Sequence, residues 1–174
     1  RPRSTRNTRR IRAARPQRTR PAASAAPVRF TLAPPGPVSF SADAKFVAIS
    51  PDGRYLAFVA TNAQIATVWV RPIDSLDARP LKGTEGARLV FWSPDSRFIG
   101  FCAAGLIKKI AVSGGPPQTL ATGTAQVTSV TWSPDDVILF SSLASPIQRL
   151  PAGGNEAPSA VTTFTDTTQQ QQPA

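Results

Sequence analysis

The tetrapeptide Ser-Pro-Asp-Gly at residues 50–53 decides the fold, because near copies of it recur at almost even intervals along the chain. Ser-Pro-Asp-Ser occupies residues 93–96, and Ser-Pro-Asp-Asp occupies residues 133–136. The offsets are 93 − 50 = 43 and 133 − 93 = 40 residues. A fixed period of this size is typical of a repeat architecture in which each copy is one small structural unit.

Each copy of the tetrapeptide joins two short apolar runs, which predicts a β-hairpin. The paired runs are FVAI and RYLAFVA, LVFW and RFIGFCA, and SVTW and VILFSSL. Proline at the second position presets φ, and glycine at the fourth position readily takes a left-handed backbone. Ser93 to Phe101 is eight steps but Ser133 to Phe140 is seven, so we expect a different turn in the third copy.

The sequence therefore predicts two sets of structural residues. The predicted turn residues are Ser50, Pro51, Asp52, Gly53, Ser93, Pro94, Asp95, Ser133, Pro134 and Asp135, and the predicted core aromatics are Phe58, Trp92, Phe101, Trp132 and Phe140. Trp92 and Trp132 precede two of the turns, where an indole could also stack on a ligand. We favour core packing for both, because Ile49 fills the same place in the first copy.

Two more strands are predicted after each hairpin. The third strands are predicted at residues 67–73, 106–112 and 147–153, and the more polar fourth strands at residues 78–84, 117–123 and 158–164. Four strands of about five or six residues, with turns of about four, fill roughly 40 residues. The first two strands are apolar on both faces and so need cover on both sides.

This polarity gradient favours the blades of a β-propeller, whereas a twelve-stranded β-sandwich would not by itself demand the period. We predict an all-β fold, a partial β-propeller of about three four-stranded antiparallel blades. The blades are expected at about residues 44–83, 87–123 and 127–164, and residues 28–35 are a possible strand of a neighbouring blade. A propeller ring usually has about four to eight blades, so we expect further propeller blades to be missing from this chain. The first and third blades are then each expected to expose one apolar face. We therefore expect the isolated chain to be poorly soluble, oligomeric or only partly folded.

The positive charge is concentrated at one end of the chain. Residues 1–20 contain nine arginines and no acidic residue, although the whole chain has a net charge of only +10. We predict a disordered basic, proline-rich tail or linker at residues 1–27 and a polar, Gln-rich tail at residues 165–174. The basic tail could attract nucleic acid or an acidic membrane, but it lacks the interleaved aromatics that stack on bases, which favours a solvated linker.

The composition leaves little room for catalysis. The chain contains no histidine, which excludes a Ser-His-Asp triad and imidazole metal ligands, and a single cysteine excludes a thiolate zinc cluster. The recurrent carboxylates Asp52, Asp95, Asp135 and Asp136 belong to separate turns and need not converge, so we interpret them as structural. We predict no catalytic residue, no metal site and no cofactor.

Three further residues have two possible interpretations each. Cys102 lies among apolar neighbours, which predicts a buried, inert thiol rather than a reactive one. Arg54 and Arg97 follow the first two turns and could form a basic ring, but the third copy lacks the residue, which favours a solvated or turn-anchoring role.

The sequence contains no run of about 18 apolar residues, so it predicts no membrane span within these residues. The chain has no methionine, and we expect a fragment or a processed product.

Linked motifs resemble a known family. AISPDGRYLAFVA, FWSPDSRFIGF, IKKIAVSGGPPQTL and VTWSPDD resemble the WD40-like, TolB-type propeller repeats of bacterial proteins, over about residues 28–164. VWVRPIDSLDARPLKGTEGA followed by FWSPDSRFIGF further resembles the propeller attached to bacterial serine/threonine protein kinases. No kinase motif is present in the chain, so the resemblance does not extend to the kinase itself.

The resemblance implies a noncatalytic binding or scaffold module, part of a sensor or protein-interaction propeller. Its protein or small-ligand partner would dock on loops at one end of the ring, and its location would be the extracytoplasmic side of a bacterial membrane. Two alternatives stay open: the propeller of a prolyl-oligopeptidase-like hydrolase, and a TolB-like periplasmic interaction protein.

Overall fold

The computed structural model describes residues 36, 38–40, 47–124, 126–143 and 145–163, all of which belong to one compact unit spanning Ala33–Ala174. The predictions for residues 1–27, 28–35 and 165–174 fall outside the described residues. Within the described part of the chain no helix is long and apolar enough to cross a membrane.

The described residues form thirteen β-strands in three antiparallel sheets, or blades. Blade 1 contains β1 (Ser39–Phe40), β2 (Val47–Ile49), β3 (Tyr55–Asn62), β4 (Ile65–Pro72) and β5 (Arg79–Pro80). Blade 2 contains β6 (Ala87–Trp92), β7 (Phe98–Ala103), β8 (Leu106–Ala111) and β9 (Gln118–Ala121). Blade 3 contains β10 (Val127–Trp132), β11 (Val137–Ser142), β12 (Ser145–Pro151) and β13 (Ser159–Ala160). Apart from β1, which pairs with β3, each strand pairs with its neighbour in sequence within its blade, so each blade is a meander of four strand positions.

Blade 1 differs from the prediction at its first strand position. Both β1 and β2 pair with β3, through Phe40 opposite Ala60 and Val47 opposite Phe58. The two short strands therefore share one edge of β3. β1 was not predicted, because a two-residue strand carries no periodicity. The fourth strands β5 and β13 have only two residues each, shorter than predicted, since their polar sequences contribute little buried surface.

Two hydrophobic clusters fill the spaces between blades. Alternate residues of β6 point to opposite sides: Val90 and Trp92 belong to the cluster between blades 1 and 2, while Leu89 and Phe91 belong to the cluster between blades 2 and 3. A strand that is apolar on both faces needs cover on both faces, and blade 2 receives it from its two neighbours.

The outer faces of the stack are less apolar and less exposed than the sequence led us to expect. The front face of blades 2 and 3 is the side that packs against the preceding blade, and the corresponding side of blade 1 has the same name. The opposite side of each blade is its rear face. On the front face of blade 1, Leu56 and Phe58 are each 1% exposed. The prediction that blade 1 exposes an apolar face is therefore wrong for β3. Only β2 fits the expectation, since Val47 and Ile49 are 52% and 55% exposed.

The rear face of blade 3 mixes polar and apolar side chains. Leu139 is half-buried and Ile147 is 42% exposed, but Thr131 and Arg149 share that face with them. The open face of blade 3 is therefore only partly apolar.

Candidate interaction surface at the turn end

The first two turns are built from the same hydrogen bonds. The Ser50 hydroxyl donates to Asp52 Oδ1 over 2.5 Å and accepts the Tyr55 amide over 2.9 Å. The Ser93 hydroxyl donates to Asp95 Oδ1 over 2.6 Å, and it accepts the Phe98 amide over 2.8 Å. Serine and aspartate thus satisfy backbone groups that the reversal of the chain leaves unpaired.

The third turn is tighter, as its missing residue predicts. The amides of Ser50 and Ser93 bond to carbonyls five residues on, whereas the Ser133 amide bonds to the carbonyl of Val137, four residues on, over 2.8 Å. Asp136 at the fourth turn position accepts the Trp132 indole N–H over 3.2 Å. The proline residues of the three turns, Pro51, Pro94 and Pro134, lie at the second position with partial or full exposure, and Asp135 is exposed at the third.

All three turns need a left-handed backbone at the fourth position. The φ angles are +72° at Gly53, +61° at Ser96 and +57° at Asp136. Ser96 is 9% exposed, and its hydroxyl accepts the Asp52 amide over 3.1 Å, which links the turns of blades 1 and 2. The strained serine is therefore held by a contact between blades.

The turn carboxylates are held in the charged form. The Ser50 hydroxyl and the Arg54 amide lower the pKa of Asp52, and the Ser93 hydroxyl chiefly lowers the pKa of Asp95. Hydrogen bonds to a carboxylate favour its ionised state. Both groups therefore carry negative charge at neutral pH.

The five predicted core aromatics all lie in the interior. Trp92 and Phe101 belong to the cluster between blades 1 and 2, and Trp132 and Phe140 to the cluster between blades 2 and 3. Phe58 is buried on the front face of blade 1. The two indoles are 7% and 8% exposed, so neither presents a ring face to a ligand at the surface.

The two arginines that follow the turns are solvent-exposed. Arg97 Nε lies 4.0 Å from Asp95 Oδ2, with both side chains more than half exposed. An ion pair of this kind contributes little to stability. Cys102 is half-buried, and desolvation raises the pKa of its thiol to about 12, which keeps it protonated.

The loops after the third strands lie at the same end of the blades as the turns. The amides of Ile73, Val112 and Ala152 bond to the carbonyls of Arg54, Arg97 and Asp136, over 2.8, 2.9 and 2.8 Å. We call this surface the turn end. It comprises residues 50–54, 73–78, 93–97, 112–117, 133–136 and 152–158.

The turn end collects nearly all the negative charge of the described residues. Of the eight acidic residues in that part of the chain, seven lie there and Glu85 does not. The seven are Asp52, Asp74, Asp77, Asp95, Asp135, Asp136 and Glu156. Only Arg54 and Arg97 are basic, so the formal charge is 2 − 7 = −5.

The candidate surface is thus defined by its negative charge. Among the described residues no group of three or more Cys, Asp or Glu side chains is arranged to hold a metal ion. The sequence analysis identified the carboxylates of the turns, but it did not predict that the loops after the third strands lie next to them. The signal was present, because Asp74, Asp77 and Glu156 all follow predicted third strands.

Neither a protein-family model nor a curated protein matches the chain. Among solved structures, the putative TolB from Agrobacterium tumefaciens has 20% sequence identity and a TM-score of 0.53, and the match covers 63% of this chain and 46% of that one. Hydrazine synthase from Kuenenia stuttgartiensis has 13% identity and a TM-score of 0.55, covering 66% of this chain and 34% of that one. A chain of the mitotic checkpoint complex has 21% identity and a TM-score of 0.53, covering 83% of this chain and 46% of that one.

These similarities establish the fold alone. The described residues form part of a β-propeller, in agreement with the sequence-based prediction, and they resemble TolB and other propellers. The chain spans less than half the length of each of the three structures described above.

Proposed function

We propose that this chain is a noncatalytic binding module and that its turn end docks a cationic segment of a partner protein. The observation that carries the proposal is the charge of −5 on residues brought to one end of the blades by the fold. A surface of one sign raises the encounter rate with partners of the opposite sign. The same charge repels nucleic acid, so polyanions are not the partners of this surface.

The absence of histidine from the chain supports a noncatalytic role, since the usual acid–base and nucleophilic machinery has no imidazole to use. The larger setting that we propose rests on the sequence resemblance: a sensor or interaction propeller of a bacterial protein, such as a membrane-anchored serine/threonine kinase. In that setting the partner would be a protein outside the cytoplasmic membrane.

The test is fluorescence anisotropy with a labelled peptide of alternating lysine and glycine, titrated with the full chain at low and at moderate salt. Binding should weaken as salt increases. The combined variant Asp74→Asn, Asp77→Asn and Glu156→Gln should weaken binding by about threefold to tenfold at low salt, because it removes three of the seven charges of the surface.

Glu85→Gln is the matched control, because Glu85 lies away from the turn end and its loss should leave the peptide affinity unchanged. A second background, in which the nine arginines of residues 1–20 are changed to glutamine, removes competition by the chain's own basic segment. No binding in either background, or equal loss with the control variant, would overturn the proposal.

A further inference from the structure

The end of the blades opposite the turn end is formed by three hairpin tips. Each tip joins the second strand of a blade to its third strand and is closed by a cross-strand pair: Asn62 with Ile65, Ala103 with Leu106, and Ser142 with Ser145. The loop out of blade 1 lies beside the first tip, since the Gly86 amide bonds to the Ala66 carbonyl over 2.8 Å. The loop out of blade 2 lies beside the second tip, since the Thr124 amide bonds to the Gly105 carbonyl over 2.9 Å. We call this surface the hairpin end, and it comprises residues 62–66, 82–88, 103–106, 122–124, 126, 142–143 and 145.

The hairpin end and the turn end differ in charge. The charged residues of the hairpin end are Lys82, Glu85 and Arg88, all exposed, so its formal charge is 2 − 1 = +1, against −5 at the turn end. Strand β4 takes 72 − 65 = 7 steps of about 3.3 Å, which separates the two ends by roughly 23 Å. This separation exceeds the Debye length of about 8 Å at physiological ionic strength, so the two ends act on their surroundings as separate surfaces.

Large apolar side chains protrude from the hairpin end. Leu143 lies at the tip between β11 and β12 and is 78% exposed, and Ile65 follows the tip between β3 and β4 and is 54% exposed. Leu106, at the position of Ile65 in blade 2, is half-buried. Neither Leu143 nor Ile65 belongs to the clusters that hold the blades together. Exposed apolar side chains rimmed by polar residues mark a surface that binds a protein or a membrane.

The shape and charge of the hairpin end favour a membrane over a protein. Leu143 and Ile65 protrude from separate tips in different blades, whereas a protein interface is built around one closely packed apolar centre. A fluid lipid surface accommodates separate protrusions. Lys82 and Arg88 lie at the same end, and long basic side chains reach lipid headgroups while their stems stay on apolar surface.

We propose that the hairpin end rests on an anionic phospholipid membrane, with Leu143 and Ile65 inserted among the lipid headgroups and Lys82 and Arg88 against the lipid phosphates. Binding of this kind increases with the apolar area buried and with the attraction of basic residues to anionic lipids. The turn end then points away from the membrane, because the same lipids repel its negative charge. The hairpin end contains none of the seven acidic residues of the turn end, so this inference is independent of the proposed function.

The test is co-sedimentation of the full chain with vesicles of phosphatidylcholine and phosphatidylglycerol. The chain carries the change of the nine arginines of residues 1–20 to glutamine, so that its basic segment does not bind the vesicles by itself. Leu143→Ser and Ile65→Ser should each raise the lipid concentration for half-binding by about threefold to tenfold. Leu76→Ser is the matched control and should leave it unchanged, because Leu76 is 87% exposed but lies at the turn end. All three side chains are exposed, so circular dichroism should show an unchanged fold.

Charge variants test the electrostatic part of the proposal. Lys82→Gln combined with Arg88→Gln should weaken binding to these vesicles by about threefold to tenfold. The effect should disappear on vesicles of phosphatidylcholine alone, which carry no net charge. Glu85→Gln removes a negative charge from the same end and should strengthen binding to the anionic vesicles.

A fluorescent label tests the orientation of the bound chain. In a Cys102→Ser background, a polarity-sensitive dye on Leu143→Cys should shift its emission to shorter wavelength when vesicles are added, whereas the same dye on Leu76→Cys should not. Absence of sedimentation, equal losses for Leu143→Ser and Leu76→Ser, or a shift at residue 76 would overturn the proposal. Self-association without vesicle binding, seen as a mass above 18.4 kDa that Leu143→Ser reduces, would also overturn it and assign the hairpin end to a protein partner.

Discussion

Asp95 shows how a single turn residue makes the stability of this protein depend on pH. The Ser93 hydroxyl and the Arg97 amide hold the pKa of its carboxyl below the ordinary value of 3.8. A carboxyl whose pKa is lower in the folded state stabilises the fold above the unfolded pKa, and this contribution is lost as pH falls through the folded pKa. Native stability should therefore fall below about pH 3.8.

Asp95→Asn should make this acid-induced loss of stability smaller, because the amide does not titrate. The measurement is the urea midpoint of the native chain and of the variant between about pH 2.5 and about pH 6. This range spans the ordinary pKa values of carboxyl groups. Leu76→Asn, at a side chain that does not titrate and is 87% exposed, is the control and should keep the native pH dependence. Parallel pH profiles for native and Asp95→Asn chains would contradict the assignment.

The hairpin between β3 and β4 has the wrong residues for its backbone. Its two loop residues, Ala63 and Gln64, have φ angles of +45° and +71°. A side chain in the left-handed region costs about 1 kcal/mol, and Asn-Gly suits such a two-residue turn. Ala63→Asn with Gln64→Gly should therefore raise the free energy of unfolding by about 1 kcal/mol.

Chemical denaturation of this double variant is the measurement. Leu76→Gly is its control, because Leu76 is exposed and does not have a positive φ. At residue 76 the flexibility that glycine adds to the backbone should lower the free energy of unfolding by about 0.5 to 1 kcal/mol. Destabilisation by the hairpin variant would show that these two side chains contribute contacts that outweigh the backbone strain.

At the scale of the strand, β7 depends on a glycine that makes room for a ring. A Cβ at Gly100 would overlap with the ring of Phe91 on the neighbouring strand β6. Gly100→Ala should lower the free energy of unfolding by about 1 to 3 kcal/mol, because the ring must move within a packed cluster. Thermal and urea unfolding provide the measurement.

Gly153→Ala is the matched control for Gly100→Ala. The nearest atom to a Cβ there is Asn155 Nδ2 at 3.6 Å, an ordinary contact distance, and Gly153 has no positive φ. It should therefore leave stability nearly unchanged. Equal effects of the two substitutions would mean that Phe91 moves aside without cost.

At the scale of the whole molecule, stability depends on contacts between blades. The Trp92 indole N–H of blade 2 donates to the Ala48 carbonyl of blade 1 over 3.0 Å. Trp92→Phe keeps an aromatic ring but leaves that carbonyl without its donor, which should cost about 1 to 3 kcal/mol of unfolding free energy.

Trp132→Phe is the comparison, because the Trp132 indole bonds to the exposed Asp136 carboxylate of its own blade, where water can replace it. Its cost should be smaller than that of Trp92→Phe when both are measured by urea denaturation. A larger loss of unfolding free energy for Trp132→Phe than for Trp92→Phe would contradict the view that the hydrogen bond of the Trp92 indole stabilises the contact between blades 1 and 2.

Much of the local structure was predictable because it depends on near neighbours in sequence. The Ser-Pro-Asp turns, the apolar strands around them and the burial of Phe101 and Trp132 all follow from patterns within about ten residues. β1 was missed, because its pairing with β3 crosses the gap between Phe40 and Val47 and leaves no periodic signal.

The sequence by itself determined the repeat, the number of blades and the turns, since period, strand pattern and turn chemistry are properties of consecutive residues. Only the tertiary structure decided which side chains of neighbouring blades face each other. The charge of the turn end was therefore visible only after folding. Loops of different blades converge through strand direction and register, which bring together residues about 40 positions apart in a way that no local pattern encodes.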